Sequence, residues 1–218
     1  MDIKYFGHSS FLLRGRQGKV VTDPYDLATM KKKFPKTEAD IVTVSHEHGD
    51  HNAANLVEGN PLVVNLPGEY EKNGIRIYGF DSFHDGSKGE KRGKNTIYKI
   101  EIDDISVLHC GDLGHPLSNE LIEQIEDVDI LIIPVGGFYT IGPDEAGDIV
   151  SKIEPSVVIP MHYKTDVGFN KEIMDKLAPV SEFIQAIGIS NVEPVTKYSI
   201  KKPDIGEEMS VVVMEPSS

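Results

Sequence analysis

The sequence predicts an α/β fold, a mixed domain whose strands fall into two blocks, each accompanied by helices. Three observations predict it. The first half alternates short β-branched or aromatic runs with Gly, Pro and Asp turns, and the second half alternates apolar strands with helical segments. No polar or low-complexity stretch divides the 218 residues, a length that one hydrophobic core can serve. Residues 1–218 are therefore expected to form a single domain.

In chain order, residues 3–6, 11–14, 19–22, 41–44 and 62–64 read as strands bounded by turn residues, and residues 53–57 as a helix. Residues 75–80 and 96–102 carry alternating apolar positions and flank the polar segment 85–94, which cannot pack a core and reads as a surface loop. After a strand at 105–108, helices are expected at 118–125, 144–153 and 171–177. The intervening segments 129–133 and 156–160 are almost wholly apolar, as strands covered by helices on both faces must be. Residues 195–200 and 210–214 complete the strands.

The charge balance narrows the partners. With 35 acidic against 22 basic residues the formal net charge is -13, which repels phosphate backbones and anionic lipid and argues against nucleic acid as the main partner. No run reaches the roughly 18 consecutive apolar residues of a membrane helix, and the start Met1, Asp2, Ile3, Lys4, Tyr5, Phe6 lacks the pattern of a signal peptide. A cytoplasmic location and no membrane association are expected. Cys110 is the single cysteine, so any metal has to be held by His, Asp and Glu.

The strongest signal is the run Ser45, His46, Glu47, His48, Gly49, Asp50, His51, Asn52, directly after an apolar strand. In an extended segment residues two apart point the same way, so His46 and His48 can reach one cation. Gly49 frees the chain to turn Asp50 and His51 toward a second. Three further candidates, His84, Asp112 and His162, each end a predicted strand, at the rim where loops of α/β folds gather ligands.

With these residues the chain resembles the metallo-β-lactamase fold superfamily, whose signature is His-x-His-x-Asp-His followed by a lone His, a lone Asp and a lone His. The resemblance runs from Gly7 and His8 to about Tyr163, and its texture is similar to the small stand-alone metal-dependent hydrolases related to L-ascorbate-6-phosphate lactonase. Gly7, His8, Ser9, Ser10, then Thr22, Asp23, Pro24, then Gly111, Asp112, Leu113, Gly114, and Pro160, Met161, His162, Tyr163 support it. The resemblance implies an αββα sandwich of two mixed sheets flanked by helices, with the metals at one edge. It also implies that His46, His48 and His84 hold a first metal, that Asp50, His51 and His162 hold a second, and that Asp112 bridges them. His8 and His115 fall in turns that the resemblance puts near the same rim, as partners of ligands or proton carriers. His109, inside an apolar strand, reads as a core histidine, Cys110 as packing, and Asp23 as a turn or hydrogen-bonding acid.

Two divalent cations that share a water lower its pKa toward neutrality and supply hydroxide, with Asp50 to orient it, so hydrolysis is the implied reaction. Imidazole and carboxylate ligands suit zinc, manganese and iron, and zinc is the commonest outcome for the superfamily. The expected substrate is a small ester, lactone or phosphoester. An anionic one is suggested by Lys88, Lys91, Arg92 and Lys94 in the loop after His84, with Lys164, Tyr139 and Thr140 as further contacts. A solvated hairpin tip is the competing reading of that loop. Two other functions remain open, a nuclease or phosphodiesterase and a non-catalytic metal-binding sensor. Against the first, residues 112–162 hold only ordinary strand and helix where nuclease branches of the superfamily carry a large insertion between the Asp and the last His, and the intact ligand set argues against the second.

Overall fold

The computed structural model describes residues 1–165, 168–206 and 208–217. Two mixed sheets lie face to face. The first is built from β1 (Asp2–Gly7), β2 (Ser10–Arg14), β3 (Lys19–Thr22), β4 (Ile41–Thr43) and β5 (Leu62–Val64), with helix α1 (Leu27–Met30) between β3 and β4. The second is built from β6 (Gly68–Lys72), β7 (Ile75–Phe83), β8 (Lys94–Ile102), β9 (Ile105–His109), β10 (Ile130–Pro134) and β11 (Val157–Met161). Helices α2 (Asn119–Ile125) and α3 (Pro143–Ile153) join β9 to β10 and β10 to β11, and α4 (Lys171–Met174) and α5 (Val180–Ala186) follow. The short β12 (Tyr198–Ser199) then joins the first sheet beside β1, and β13 (Ser210–Val211) joins the second beside β11.

The strand orders are β12-β1-β2-β3-β4-β5 and β13-β11-β10-β9-β8-β7-β6. In each sheet an antiparallel half built from hairpins passes into a parallel half, beyond β3 in the first and beyond β9 in the second. Parallel neighbours need a crossover to cover them, and this is where α2 and α3 pack.

Three buried clusters define the layers. Ile3, Tyr5, Phe11 and Val20 meet Ile77, Ile100, Ile130 and Ile132 between the sheets. On the outer face of the second sheet Leu131, Ile133 and Val158 meet Ile149 of α3 and Phe183 of α5, and on the outer face of the first Val21 and Val42 meet Met30 of α1 and Met174 of α4. Ile130 and Ile132 facing one way, and Leu131 and Ile133 the other, is the period-2 alternation of a strand covered on both sides. The αββα sandwich expected from the resemblance is the fold observed.

Local departures have physical reasons. The expected helix at 53–57 is a 3₁₀ turn, Ala54–Leu56, that has no side-chain cap. The helix expected at 171–177 stops at Met174 and continues as turns, with Leu177 N–H on the Met174 carbonyl. The strands expected at 195–200 and 210–214 shrink to two residues each, because only those residues form a continuous ladder with β1 or β11, while Val195 and Met214 meet in an isolated bridge.

Candidate metal centre

Every sequence-predicted metal ligand lies at one edge of the sandwich. His46, His48, Asp50 and His51 come from the turn after β4, His84 follows β7, Asp112 lies just beyond β9, and His162 follows β11. The first sheet thus contributes one compact loop, and the second contributes one residue from each of three strand ends.

The side chains converge. The ligand atoms of His46, His48 and His84 lie within 4.8 Å of one another, as do those of His8, Asp50, His51 and His162, and those of His46, His51 and Asp112. Asp112 is where the sets meet. Its Oδ2 is 3.2 Å from Nε2 of both His84 and His162, and its Oδ1 is 3.3 Å from His51 Nε2. The two groups anticipated from the motif are therefore present as geometry, with the addition that His8 falls inside the second set.

Buried hydrogen bonds hold the imidazoles. Asp23, fully buried, accepts from the Ser45 backbone N–H at 2.8 Å, from Ser45 Oγ at 2.6 Å and from His51 Nδ1 at 2.8 Å. Ser45 Oγ lies 3.0 Å from His46 Nδ1. With its hydroxyl proton given to Asp23, Ser45 accepts from His46, so one carboxylate fixes Nδ1 as the protonated nitrogen on both rings and turns Nε2 of each inward. Asn95, also buried, accepts the Asp112 N–H at 2.9 Å and donates to the Cys110 carbonyl and to Ser82 Oγ. Gly111 sits between these groups at φ +55°, and a Cβ there would fall 2.4 Å from Asn95 Oδ1 and 2.5 Å from Ser45 Cβ. Only glycine permits that approach.

Asp23 and Asn95 are the residues sequence reasoning undervalued. Asp23 was legible as a hydrogen-bonding acid before a proline, but its partners lie 22 and 28 positions away. Nothing local to Asn95 signals its task.

His8 is buried at φ 58°, its Nε2 3.1 Å from Asp50 Oδ2, its ring centroid 4.1 Å from that of His162, and its carbonyl accepts the His162 N–H. The structure does not bring His115 into the cluster. Its Nε2 accepts the Phe83 N–H at 3.1 Å and its Nδ1 donates to the Pro116 carbonyl at 2.8 Å, so both nitrogens are committed to backbone. His109 bonds the Ser9 carbonyl and the Gly111 N–H as a core histidine, and Cys110 packs in the cluster beneath the helices.

Burial pushes the His8 pKa down to about 4 and that of His46 to about 3, with neighbouring His162 and His51 adding to it. At His51 burial acts the same way, but Asp112, Asp50 and Asp23 outweigh it and hold the pKa well above the ordinary value. Burial would raise Asp112, and the adjacent His162 and His51 hold it well below the usual carboxylate range. These carboxylates recruit positive charge.

A cation fits this donor set. Among the described residues, His46 Nε2, His51 Nε2 and Asp112 Oδ1 are buried without a hydrogen-bond partner, and each such group costs about 1–3 kcal/mol when left alone. Nitrogen and oxygen donors without thiolate suit zinc, manganese or iron.

The geometry and sequence together define a class. A family model described as a beta-lactamase superfamily domain matches residues 2–162, and the chain belongs to that superfamily, among its metal-dependent hydrolases. A "UPF0173 metal-dependent hydrolase" of Pelotomaculum thermopropionicum is 30% identical over 97% of this chain and 100% of its own. A Thermotoga maritima protein described as a Zn-dependent hydrolase of the metallo-beta-lactamase superfamily is 38% identical in sequence. Its crystal structure matches with a TM-score of 0.81 over 98% of this chain and 97% of that one. A metallo hydrolase of Ignicoccus hospitalis, 21% identical, has the same fold with a TM-score of 0.68 over 100% of this chain and 96% of its own. No helix among the described residues is long and apolar enough to cross a membrane.

Proposed function

We propose that this single-domain chain is a hydrolase of a small ester, lactone or phosphoester, working with two divalent metal ions, zinc first among the candidates. The observation that carries the reading is the position of Asp112, whose two oxygens lie within 3.3 Å of histidines from both ligand groups. His46, His48 and His84 would hold one ion, Asp50, His51 and His162 the other, and Asp112 would touch both. Bound there, the ions would polarise a carbonyl or phosphoryl oxygen and lower the pKa of water from about 15.7 toward 7.

The chain's own residues do the rest. His8, its pKa lowered to about 4, is neutral near pH 7 and donates from Nε2 to Asp50, which leaves the other Asp50 oxygen to hold an ion or to orient the attacking water. Asp23 and Ser45 keep the two inward nitrogens aimed without reorganisation as charge develops. His115 holds the backbone before His84.

Elemental analysis of protein reconstituted with zinc or manganese tests the count, with about two ions per chain expected. Hydrolysis of a chromogenic phosphodiester and a lactone panel tests the reaction, and activity on one of them is expected to vanish with chelator and return with metal. A folded protein that retains no metal, or hydrolysis that survives chelation, overturns the reading.

A further inference from the structure

A cavity of about 280 Å³ adjoins the centre, and its lining joins candidate ligands, His48, Asp50, His84 and Asp112, to a basic wall of Lys91 and Arg92 with Tyr139. The basic wall comes from the loop that the sequence left undecided between substrate guide and solvated tip. Its central stretch is not free. The Asp85 carboxylate accepts the backbone N–H groups of Ser87, Gly89, Lys91 and Arg92 at 2.7, 3.0, 2.9 and 2.7 Å. Asp85 follows His84 directly, so the turn that carries the two cations is tied to the same strand end as a candidate ligand.

Arg92 is aimed as well as anchored. One guanidinium nitrogen donates to the Phe138 carbonyl at 3.0 Å, and Cζ lies 5.6 Å from the centroid of the Tyr139 ring. Lys176 Nζ stands 5.5 Å from the same centroid and donates to the Tyr139 hydroxyl at 3.0 Å. With that oxygen accepting from an ammonium, the phenolic O–H remains as a donor. Four guanidinium N–H donors also remain, since only one of five is needed by Phe138. Among the described residues neither the Lys91 ammonium nor the Arg92 guanidinium has a carboxylate within 4 Å, in a chain carrying 35 acidic groups. Lys94, by contrast, pairs with Asp81 at 3.6 Å and does not line this cavity, although it borders a neighbouring groove that Arg92 and His48 share.

We infer that Arg92 and Tyr139, with Lys91 beside them, form an oxyanion subsite that takes a phosphoryl or carboxylate group of the substrate next to the reacting bond. The inference rests on the proposed hydrolase reading and names its substrate class. Arginine supplies the planar, bidentate match to either group, and its cation–π contact with Tyr139 and hydrogen bond to Phe138 limit the freedom it loses on binding.

Calorimetric titration with inorganic phosphate and, separately, with acetate tests it. Wild type, Arg92→Gln, Tyr139→Phe and Lys94→Gln are each titrated metal-loaded and metal-free, with elemental analysis of every sample. Loss of a charge-assisted donor pair is expected to weaken phosphate binding about tenfold in Arg92→Gln, and loss of the phenol about threefold in Tyr139→Phe, in both metal states. Lys94→Gln is expected to stay within about twofold. A parallel loss for acetate shows that carboxylates share the subsite, and a loss confined to phosphate restricts it to phosphoryl groups. Equal phosphate affinity for wild type, Arg92→Gln and Tyr139→Phe overturns the subsite whatever the metal content. Absence of metal with the Arg92 effect intact instead overturns the hydrolase reading alone.

Discussion

The floor and the rim of the cavity are built by different means. On the floor His51, Asp112 and His162 are 0–2% exposed, and the ligand-bearing loops are tied to further buried groups: Asp23, Ser45, Asn95 and His8. On the rim Lys91 is exposed and Arg92 and Tyr139 are half-buried, held by one carboxylate and a cation–π contact. A buried hydrogen bond that loses its partner leaves an unsatisfied group, whereas an exposed contact exchanges with water. The floor should therefore fail as a unit and the rim in small, separable steps.

The largest break is expected from Asp112→Ala. It removes the one carboxylate among the described residues that touches His51, His84 and His162, and metal affinity should fall by more than about 100-fold, with hydrolysis lost. His8→Ala in the same elemental assay should lose less metal, because His8 contacts the site through Asp50. Equal losses would make His8 a ligand rather than a partner of one.

Asp23→Asn comes next. The residue accepts three hydrogen bonds with no exposure, and an amide there can accept at only one atom while its NH2 faces donors. Metal affinity should drop about 10–100-fold, and thermal unfolding of the metal-free protein should show a cost of about 1–3 kcal/mol. Full stability with poor metal retention would mean that Asp23 only aims the histidines; loss of both would mean that it also knits the loop.

The same contrast explains what the sequence disclosed. His46, His48, Asp50 and His51 sit within six positions on one turn, so their pattern is local and readable. His84, Asp112 and His162 were readable as strand-end residues, but only the sheet order places β7, β9 and β11 at the same edge. Asp23 meets His51 across 28 positions, and Arg92 meets Phe138 across 46. Such partners are products of topology, and no periodicity records them. Strand periodicity likewise recovered the central strands, whose faces are both covered. It missed β6, an exposed edge strand of polar residues, the four-residue α1, and α5, which starts after Pro179 without a side-chain cap.

On the rim Asp85→Ala should leave metal content unchanged and lower kcat/KM for an anionic substrate about three- to tenfold. It releases four backbone N–H groups that set the course of the loop. Burial would raise the Asp85 pKa, but those four donors outweigh it and hold the group at about 2. A depressed carboxylate pKa contributes its order above the unfolded value near 3.9 and loses it as pH falls toward 2. The rim should therefore keep its shape from pH 5 to 8, and steady-state kinetics across that range should show no change in the wild-type to Asp85→Ala ratio. A ratio that changes within this window would place the loop's order on another group.

The smallest effect is expected from Lys91→Gln. Its ammonium is exposed, lines the cavity and has no carboxylate partner among the described residues, so it acts on an approaching anion through solvent. At low salt the substitution should reduce kcat/KM for an anionic substrate about two- to threefold, a surface-charge effect of less than about 1 kcal/mol. Raising ionic strength shortens the screening length from about 30 Å at 0.01 M to about 10 Å at 0.1 M, and the difference from wild type should shrink with it. Arg92→Gln, which loses directed hydrogen bonds, should keep most of its deficit at the higher salt. A Lys91→Gln deficit that persists at high salt would mean direct contact with the substrate and extend the subsite to that residue. Equal salt sensitivity in the two variants would instead reduce Arg92 to a diffuse charge and erase the distinction between anchored and solvated cations on the rim.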